Sequence, residues 1–195
     1  LRDETGHKLN NPIAFLQQLK FLAKLDFITL DVSSKVIKGQ ENEMLLSDGE
    51  RNFTLVMKTK DLLNTHKKVM LFAGSVQHAR FLNSAFQYLN IRSAVIDSNM
   101  NRSNRNILLE EFKLGNIELM INYGVLSTGV DVPQLDAVVI ARPITSIVLF
   151  SQIIGRALRG VNNGGREKNT ILSLRDNVVG SPDFIYKYWE ENWFN

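Results

Sequence analysis

Short apolar runs alternate with amphipathic segments along most of the chain. The runs have the length of buried strands, and the segments between them repeat apolar residues at the spacing of a helix with one buried face. The predicted strands are 27–32, 68–73, 92–96, 117–121, 137–141 and 170–174. The predicted helices are 12–25, 48–64, 76–89, 103–114 and 146–160. This alternation predicts an α/β fold in which helices cover both faces of a mainly parallel sheet.

Local signals predict several element ends. Ser75 is expected to cap the helix that follows strand 68–73, and Gly115 to end helix 103–114. The asparagine- and glycine-rich stretch 161–169 is predicted to be an exposed, hairpin-like connection. The inner side of helix 48–64 is predicted to carry Phe53, Val56, Met57 and Leu63.

The composition is that of an ordinary globular protein, with 44% apolar and 22% charged residues in 195. No apolar run is long enough for a membrane span and no signal peptide is evident, so we expect a soluble, cytoplasmic protein. Cysteine is absent, which excludes disulfides and thiolate metal sites. His7, His66 and His78 lack the spacing of metal ligands, and we expect surface or capping residues rather than a metal site.

The net charge of +3 is too small to indicate nucleic acid by itself, so local clusters have to be considered. At about 100° per residue, one arc of helix 146–160 holds Gln152, Gly155, Arg156 and Arg159. The opposite arc holds Ile153, Ile154, Ala157 and Leu158. Two arginines one turn apart can bind phosphate oxygens, and the glycine lets another surface approach. The alternative is a solvated helix whose arginines form surface salt bridges.

Upstream of this helix lies G-V-L-S-T-G-V-D-V-P, residues 124–133, followed by the predicted strand 137–141. Together with Q-I-I-G-R-A-L-R, residues 152–159, it resembles motifs V and VI of the superfamily 2 helicases and translocases. The order and spacing agree with the family pattern as well as the residues, which makes the resemblance specific. L-F-A-G-S, residues 71–75, corresponds to motif IV.

The resemblance covers residues 67–176 and implies the second, C-terminal RecA-like domain of a helicase motor, a three-layer α/β domain. Residues 1–66 are expected to be a connector and packing segment, with lead-in helices, from a first motor domain outside this chain. The RecA-like domain is expected at 67–180 and an aromatic C-terminal helix at 181–195. Because the chain begins at Leu1, without an initiator methionine, we expect a piece of a longer protein.

The same resemblance implies roles for site residues. Arginine fingers for the transferring γ-phosphate, with a supporting polar contact, are implied at Arg156, Arg159 and Gln152. Nucleotide contacts are implied at Gly129, Asp131 and Gly155. Contacts with the nucleic-acid backbone are implied at Gly74, Ser75, Thr128, Arg105 and Arg102.

Three of these assignments have structural alternatives. A strand that ends in Gly-Ser at a helix start, as at Gly74 and Ser75, leaves backbone amides free to bind a phosphate. Many turns of this kind, however, have a purely structural role. Residues 127–129 are alternatively a simple turn before the next strand. Arg102 and Arg105 are alternatively part of a solvated helix face.

No Gly-x-x-x-x-Gly-Lys-Ser/Thr phosphate loop and no Asp-Glu-x-His or Asp-Glu-Ala-Asp box occurs in the sequence. The cofactor that the resemblance implies is ATP with Mg²⁺, held mainly by a preceding RecA-like domain of the same polypeptide. We therefore expect this chain alone not to hydrolyse ATP.

The motif details look closer to restriction-enzyme motor subunits and related DNA helicases than to RNA helicases. The predicted function is the C-terminal motor domain of an ATP-dependent DNA helicase or translocase. The implied partners are duplex DNA and nuclease or methyltransferase subunits, with no membrane. The alternatives are an RNA helicase, a non-catalytic nucleic-acid-binding or scaffold module of the same fold, and an unrelated nucleotide-binding α/β domain.

Overall fold

The computed structural model describes residues 12–32, 41–125, 135–142, 147–157 and 159–176. Its helices are α1 Pro12–Gln18, α2 Glu41–Ser47, α3 Gly49–Leu63, α4 Val76–Tyr88, α5 Arg102–Leu114 and α6 Ile147–Ala157. Its strands are β1 Lys24–Val32, β2 Val69–Phe72, β3 Ser93–Asp97, β4 Leu119–Tyr123, β5 Ala137–Ile140 and β6 Lys168–Asp176. The predicted C-terminal helix at 181–195 lies outside the described residues.

The six strands form one sheet in the order β1-β6-β5-β2-β4-β3, and the described pairings are all parallel. The central strands β2 and β5 consist entirely of buried apolar residues, because helices cover the sheet on both faces. The predicted mainly parallel sheet is therefore confirmed.

Two apolar cores lie on opposite faces of the sheet. On one face α3 and α4 contribute Leu55 and Phe86, and on the other α5 and α6 contribute Phe112 and Phe150. Burying one such side chain stabilises the fold by about 1.5–3 kcal/mol. This arrangement of helices, sheet and helices confirms the predicted three-layer α/β architecture.

The helix ends follow the local sequence signals. Ser75 caps α4, because its Oγ accepts a 3.0 Å hydrogen bond from the amide of His78. Asp48 caps α3 through a 3.0 Å bond from the amide of Arg51. Gly115 ends α5 at a φ of +81°, a conformation that favours a residue without Cβ.

The beginning of the described chain differs from the prediction. The first helix ends at Gln18 instead of continuing to residue 25, and Lys20 turns the chain with a φ of +60°. The residues that follow form β1, which pairs with β6 over its whole length. A strand here covers the edge of β6 and satisfies its backbone groups, which a longer helix would leave exposed. The predicted domain boundary at residue 66 therefore divides a single sheet, with β1 before it and the other five strands after it.

The predicted inner face of α3 is partly wrong. Val56 and Leu63 are buried as predicted. Leu55, which was not part of the prediction, is buried as well. Phe53 instead has 67% of its surface exposed, and Met57 is half-buried. Leu55 and Leu63 lie on the same face of the helix. This face packs against the core because it offers more aliphatic surface than the face that carries Phe53.

Candidate nucleotide and nucleic-acid sites

The stretches that correspond to motifs IV, V and VI follow three neighbouring strands. Phe72 in β2 is in register with Asn122 in β4 and with Ile140 in β5. Because these strands are parallel, the segments after them leave the sheet at the same edge, its carboxyl edge. Arg102 begins α5 after β3 and so lies near that edge too.

The turn after β2 differs in detail from the prediction. The amide of Gly74, expected to be free for a phosphate, donates a 3.2 Å hydrogen bond to Nδ1 of His78. Leu46 of α2 lies against Gly74, where an added Cβ would collide with the leucine side chain. The expectation of a free amide at Gly74 is therefore wrong, because the ring of His78 already accepts from it.

His78 was expected to be a surface or capping residue; it is buried, with 3% of its surface exposed, and its ring accepts from a backbone amide. Since the Gly74 amide can only donate, Nδ1 accepts, and Nε2 carries the proton that bonds Oδ1 of Asn52 at 3.1 Å. Asn52 in turn donates to the carbonyl of Leu46 at 2.9 Å. Burial, and then the charge of Arg51, lower the pKa of His78 to about 4. The neutral ring therefore ties the turn to α2 and α3.

A groove of about 570 Å³ lies beside this turn, between α2, the start of α3 and the first turns of α4. Ser75, Gln77 and Phe81 line the groove, and 55% of the Phe81 surface is exposed. The exposed aromatic ring, next to the predicted phosphate turn, is suited to stacking on a base.

Arg102 and Arg105 both lie in the first turn of α5. Arg102 is exposed, whereas Arg105 is half-buried. Nη2 of Arg105 donates a 3.0 Å bond to the carbonyl of Met100, in the turn before the helix. Arg105 therefore has a structural bond, and a phosphate contact would use its remaining donors.

Thr128, Gly129 and Asp131 lie outside the described residues, and their roles stay predictions. The strand that leads to them, β4, ends at Tyr123 and is followed by Gly124 at a φ of +74°. The motif V segment therefore begins at the carboxyl edge, beside the turn after β2.

The predicted division of α6 into two faces is confirmed where the structure describes it. Ile153, Ile154 and Ala157 are buried. Gln152 and Gly155 are exposed. A Cβ added at Gly155 would have no neighbour within 4 Å, so packing within this chain does not require a glycine there.

The two arginines of motif VI are described unequally. Arg156 belongs to α6, but its side chain lies outside the described residues, as does Leu158. Arg159 follows the helix, and its backbone forms an antiparallel bridge with Leu22, just before β1. Nδ2 of Asn169, near the start of β6, donates a 2.5 Å bond to the carbonyl of Ala157.

These contacts separate the predicted sites into two groups. Arg159 lies near the beginnings of β1 and β6, at the amino edge of the sheet. The 11 residues of α6 span about 16 Å, so motif VI ends on the side away from the turn after β2. The end of motif VI at Arg159 therefore lies on a different side of the domain from Ser75 and Arg102.

The chemistry of two candidate residues suits an anion. An amide such as that of Gln152 and a guanidinium such as that of Arg159 can donate hydrogen bonds to phosphate oxygens. Among the described residues, no group of three or more His, Cys, Asp or Glu side chains is placed to hold a metal ion. No helix within the same ranges is long and apolar enough to cross a membrane. The donors of Gln152 and Arg159 are thus of the kind that suits the phosphate end of a nucleotide.

The asparagines that hold the end of motif VI are not indicated by the sequence pattern. Asn162 and Asn163 donate from their side chains to the carbonyls of Leu19 and Phe21. Asn169 is buried. Asn162 and Asn163 act on a segment more than 140 residues away in the chain, whereas Asn169 acts on Ala157, 12 residues away. Local periodicity indicates none of these bonds. The concentration of Asn and Gly between residues 161 and 169 was the only available signal.

Known proteins match most of this chain. The helicase conserved C-terminal domain matches residues 51–161. The putative ATP-dependent helicase IRC3 of Saccharomyces cerevisiae is 28% identical over 134 residues, which are 69% of this chain and 18% of the relative. The putative DEAD-box ATP-dependent RNA helicase 29 of Arabidopsis thaliana is 24% identical over 144 residues, which are 73% of this chain and 17% of the relative. The chain thus spans less than a fifth of either relative.

A solved structure confirms the fold. The C-terminal domain of the DEAD-box protein Dbp5 matches with a TM-score of 0.66 over 89% of this chain and 88% of that one, at 17% identity. The RecA-like fold that the resemblance implies is therefore confirmed. The finer likeness to restriction-enzyme motor subunits stays a prediction.

Proposed function

The chain belongs to the helicase conserved C-terminal domain family, and from this premise we propose that it is the C-terminal motor domain of an ATP-dependent DNA helicase or translocase. A preceding RecA-like domain of the same polypeptide holds ATP with Mg²⁺, and this domain completes the nucleotide site when the two domains close. The bound nucleotide supplies the γ-phosphoryl group whose transfer to water drives the motor.

One observation supports the proposal: Arg159, at the end of motif VI, lies on a different side of the domain from the candidate nucleic-acid residues Ser75 and Arg102. Ser75 and Arg102 lie near the carboxyl edge, whereas α6 carries Gln152 and leads to Arg159 at the amino edge. A motor needs separate nucleotide and nucleic-acid sites that are joined by packed elements, so that closure at one site changes the geometry at the other.

In the nucleotide site, Arg156 and Arg159 act as arginine fingers and Gln152 makes a polar contact with the phosphates. A guanidinium that reaches the γ-phosphate only on domain closure stabilises the charge on its oxygens, and such residues accelerate hydrolysis about 10³- to 10⁵-fold. Further nucleotide contacts are proposed at Gly129, Asp131 and Gly155.

In the nucleic-acid site, the backbone contacts are proposed at Gly74, Ser75, Thr128, Arg102 and Arg105. Since the amide of Gly74 is already bonded, the turn would contribute mainly the hydroxyl of Ser75. The resemblance to DNA motors supports duplex DNA as the track, with nuclease or methyltransferase subunits as partners.

The test is the separation of ATP binding from ATP hydrolysis in the full-length protein. Arg156→Ala and Arg159→Ala should each lower kcat about 10³-fold while leaving the Kd of ATP nearly unchanged. Arg92→Ala is a matched control, because this exposed arginine pairs with Glu118 far from motif VI and should leave both constants unchanged. Equal losses of ATP binding and of turnover would contradict the finger role.

An RNA helicase is the second candidate. The name of the Arabidopsis relative supports it, as does the fold match with a DEAD-box protein. A non-catalytic scaffold module remains the alternative from another class. A phosphate-loop motif in the coding sequence upstream would support either motor, and its absence would support the scaffold.

A further inference from the structure

A short backbone ladder holds the end of motif VI against a segment that precedes β1. Leu22 and Arg159 form an antiparallel bridge. The amide of Gly160 donates to the carbonyl of Phe21 at 3.0 Å, and the amide of Asn162 donates to the carbonyl of Lys20 at 3.0 Å. We call residues 19–22 the strap. The strap therefore fixes the backbone from which the Arg159 side chain extends.

Two asparagine side chains add to this ladder. Nδ2 of Asn162 donates to the carbonyl of Leu19 at 2.8 Å, and Nδ2 of Asn163 donates to the carbonyl of Phe21 at 2.8 Å. Both bonds join positions more than 140 residues apart in the chain. Each asparagine is exposed, so these donors are not needed to satisfy buried groups.

Two glycines allow close backbone contacts beside Arg159, one with the strap and one with Arg159 itself. A Cβ added at Gly160 would collide with the carbonyl oxygen of Lys20 and would lie 2.8 Å from the nitrogen of Leu22. A Cβ added at Gly165 would collide with the carbonyl oxygen of Arg159. Because the obstructing atoms belong to the backbone, the neighbours cannot move aside without breaking the ladder.

We propose that the strap positions Arg159 for ATP hydrolysis, and that Asn162 and Asn163 are positioning residues that hold the strap in place. The inference rests on the proposed finger role of Arg159. A catalytic group has to be held within about 0.5 Å of its productive place, and the ladder supplies that restraint outside the helix.

The first test uses the full-length protein with the double variant Asn162→Ala/Asn163→Ala. Its kcat for ATP should fall about tenfold or more, while the KM of ATP and the Kd of nucleic acid stay within about twofold. Asn116→Ala is the matched control, since this exposed asparagine makes a single side-chain bond, to Glu111, away from the strap. Asn116→Ala should have the kcat of the wild type.

The second test uses hydrogen exchange in the 195-residue chain. The amides of Gly160 and Asn162 should exchange faster in the double variant and not in Asn116→Ala. An unchanged kcat in the double variant, or unchanged exchange at both amides, would overturn the inference. The inference would also be overturned if the loss of kcat in the double variant were explained by a lowered melting temperature.

Arg159→Ala, measured in parallel, separates the two proposals. If Arg159→Ala abolishes turnover and the double variant does not lower it, only the positioning role fails. If Arg159→Ala itself leaves kcat unchanged, the finger role fails, and the positioning role fails with it.

Discussion

The amide of Gly74 donates a hydrogen bond to Nδ1 of His78, and the ring can accept it only while Nδ1 has no proton. A protonated ring has two donors and no acceptor, so protonation breaks this bond inside a buried site. The turn that begins the predicted nucleic-acid site is thus attached to α3 and α4 by a neutral histidine.

Stability should therefore depend on pH through His78. Its pKa falls from 6.5 to about 4 on folding, so between these values the unfolded chain binds more protons than the folded one. The free energy of unfolding should be highest above about pH 6.5 and decrease by about 3 kcal/mol as the pH falls toward 4. Urea denaturation at several pH values measures it.

The pH dependence should be smaller in His78→Gln than in the wild type over that range. His66→Gln is the matched control, because His66 bonds Thr170 at the other end of α3 and leaves the Gly74 turn intact. Identical slopes in the wild type and His78→Gln would contradict the account.

Gly155→Ala should separate a structural from a functional role of the exposed α6 face. Packing leaves room for the methyl group, and alanine in a helix is favoured over glycine by up to about 1 kcal/mol, so the melting temperature should rise. Turnover in the full-length protein should fall, since the methyl group would stand between α6 and the nucleotide. Gly49→Ala, equally unobstructed in α3, should leave turnover unchanged. Wild-type turnover in Gly155→Ala would show that nothing approaches this face.

Asn169→Ala should destabilise the end of α6. The last carbonyls of a helix lack partners within it, and Asn169 supplies one to Ala157 from a buried position. Losing that bond should cost about 1–3 kcal/mol, which thermal or chemical unfolding detects. The exposed Asn116→Ala should change stability by less than about 0.5 kcal/mol. Equal stabilities of the two variants would contradict this role.

The fold was predictable where the signal is local. The buried run of β2, the cap at Ser75 and the glycine end of α5 at Gly115 follow from the residues themselves. The pairing of β1 with β6 was not predictable, because it joins distant segments and local periodicity does not indicate a partner. Phe53 was misplaced because a large apolar residue on a helix can face solvent when another arc fills the core.

The candidate site was predictable to the same extent. Angular spacing along α6 correctly separated exposed Gln152 from buried Ile153. It did not reveal that Asn163 bonds the strap, or that the ring of His78 accepts from the backbone at Gly74. Those contacts depend on which loops the sheet brings together, and only the folded chain shows them.

The most direct measurement is ATP turnover by the full-length protein, without nucleic acid and with duplex DNA, single-stranded DNA or RNA at one fixed salt concentration. We expect duplex DNA to stimulate turnover most. Strongest stimulation by RNA would contradict the DNA track and favour the RNA helicase. No turnover under any of these conditions would contradict the motor itself.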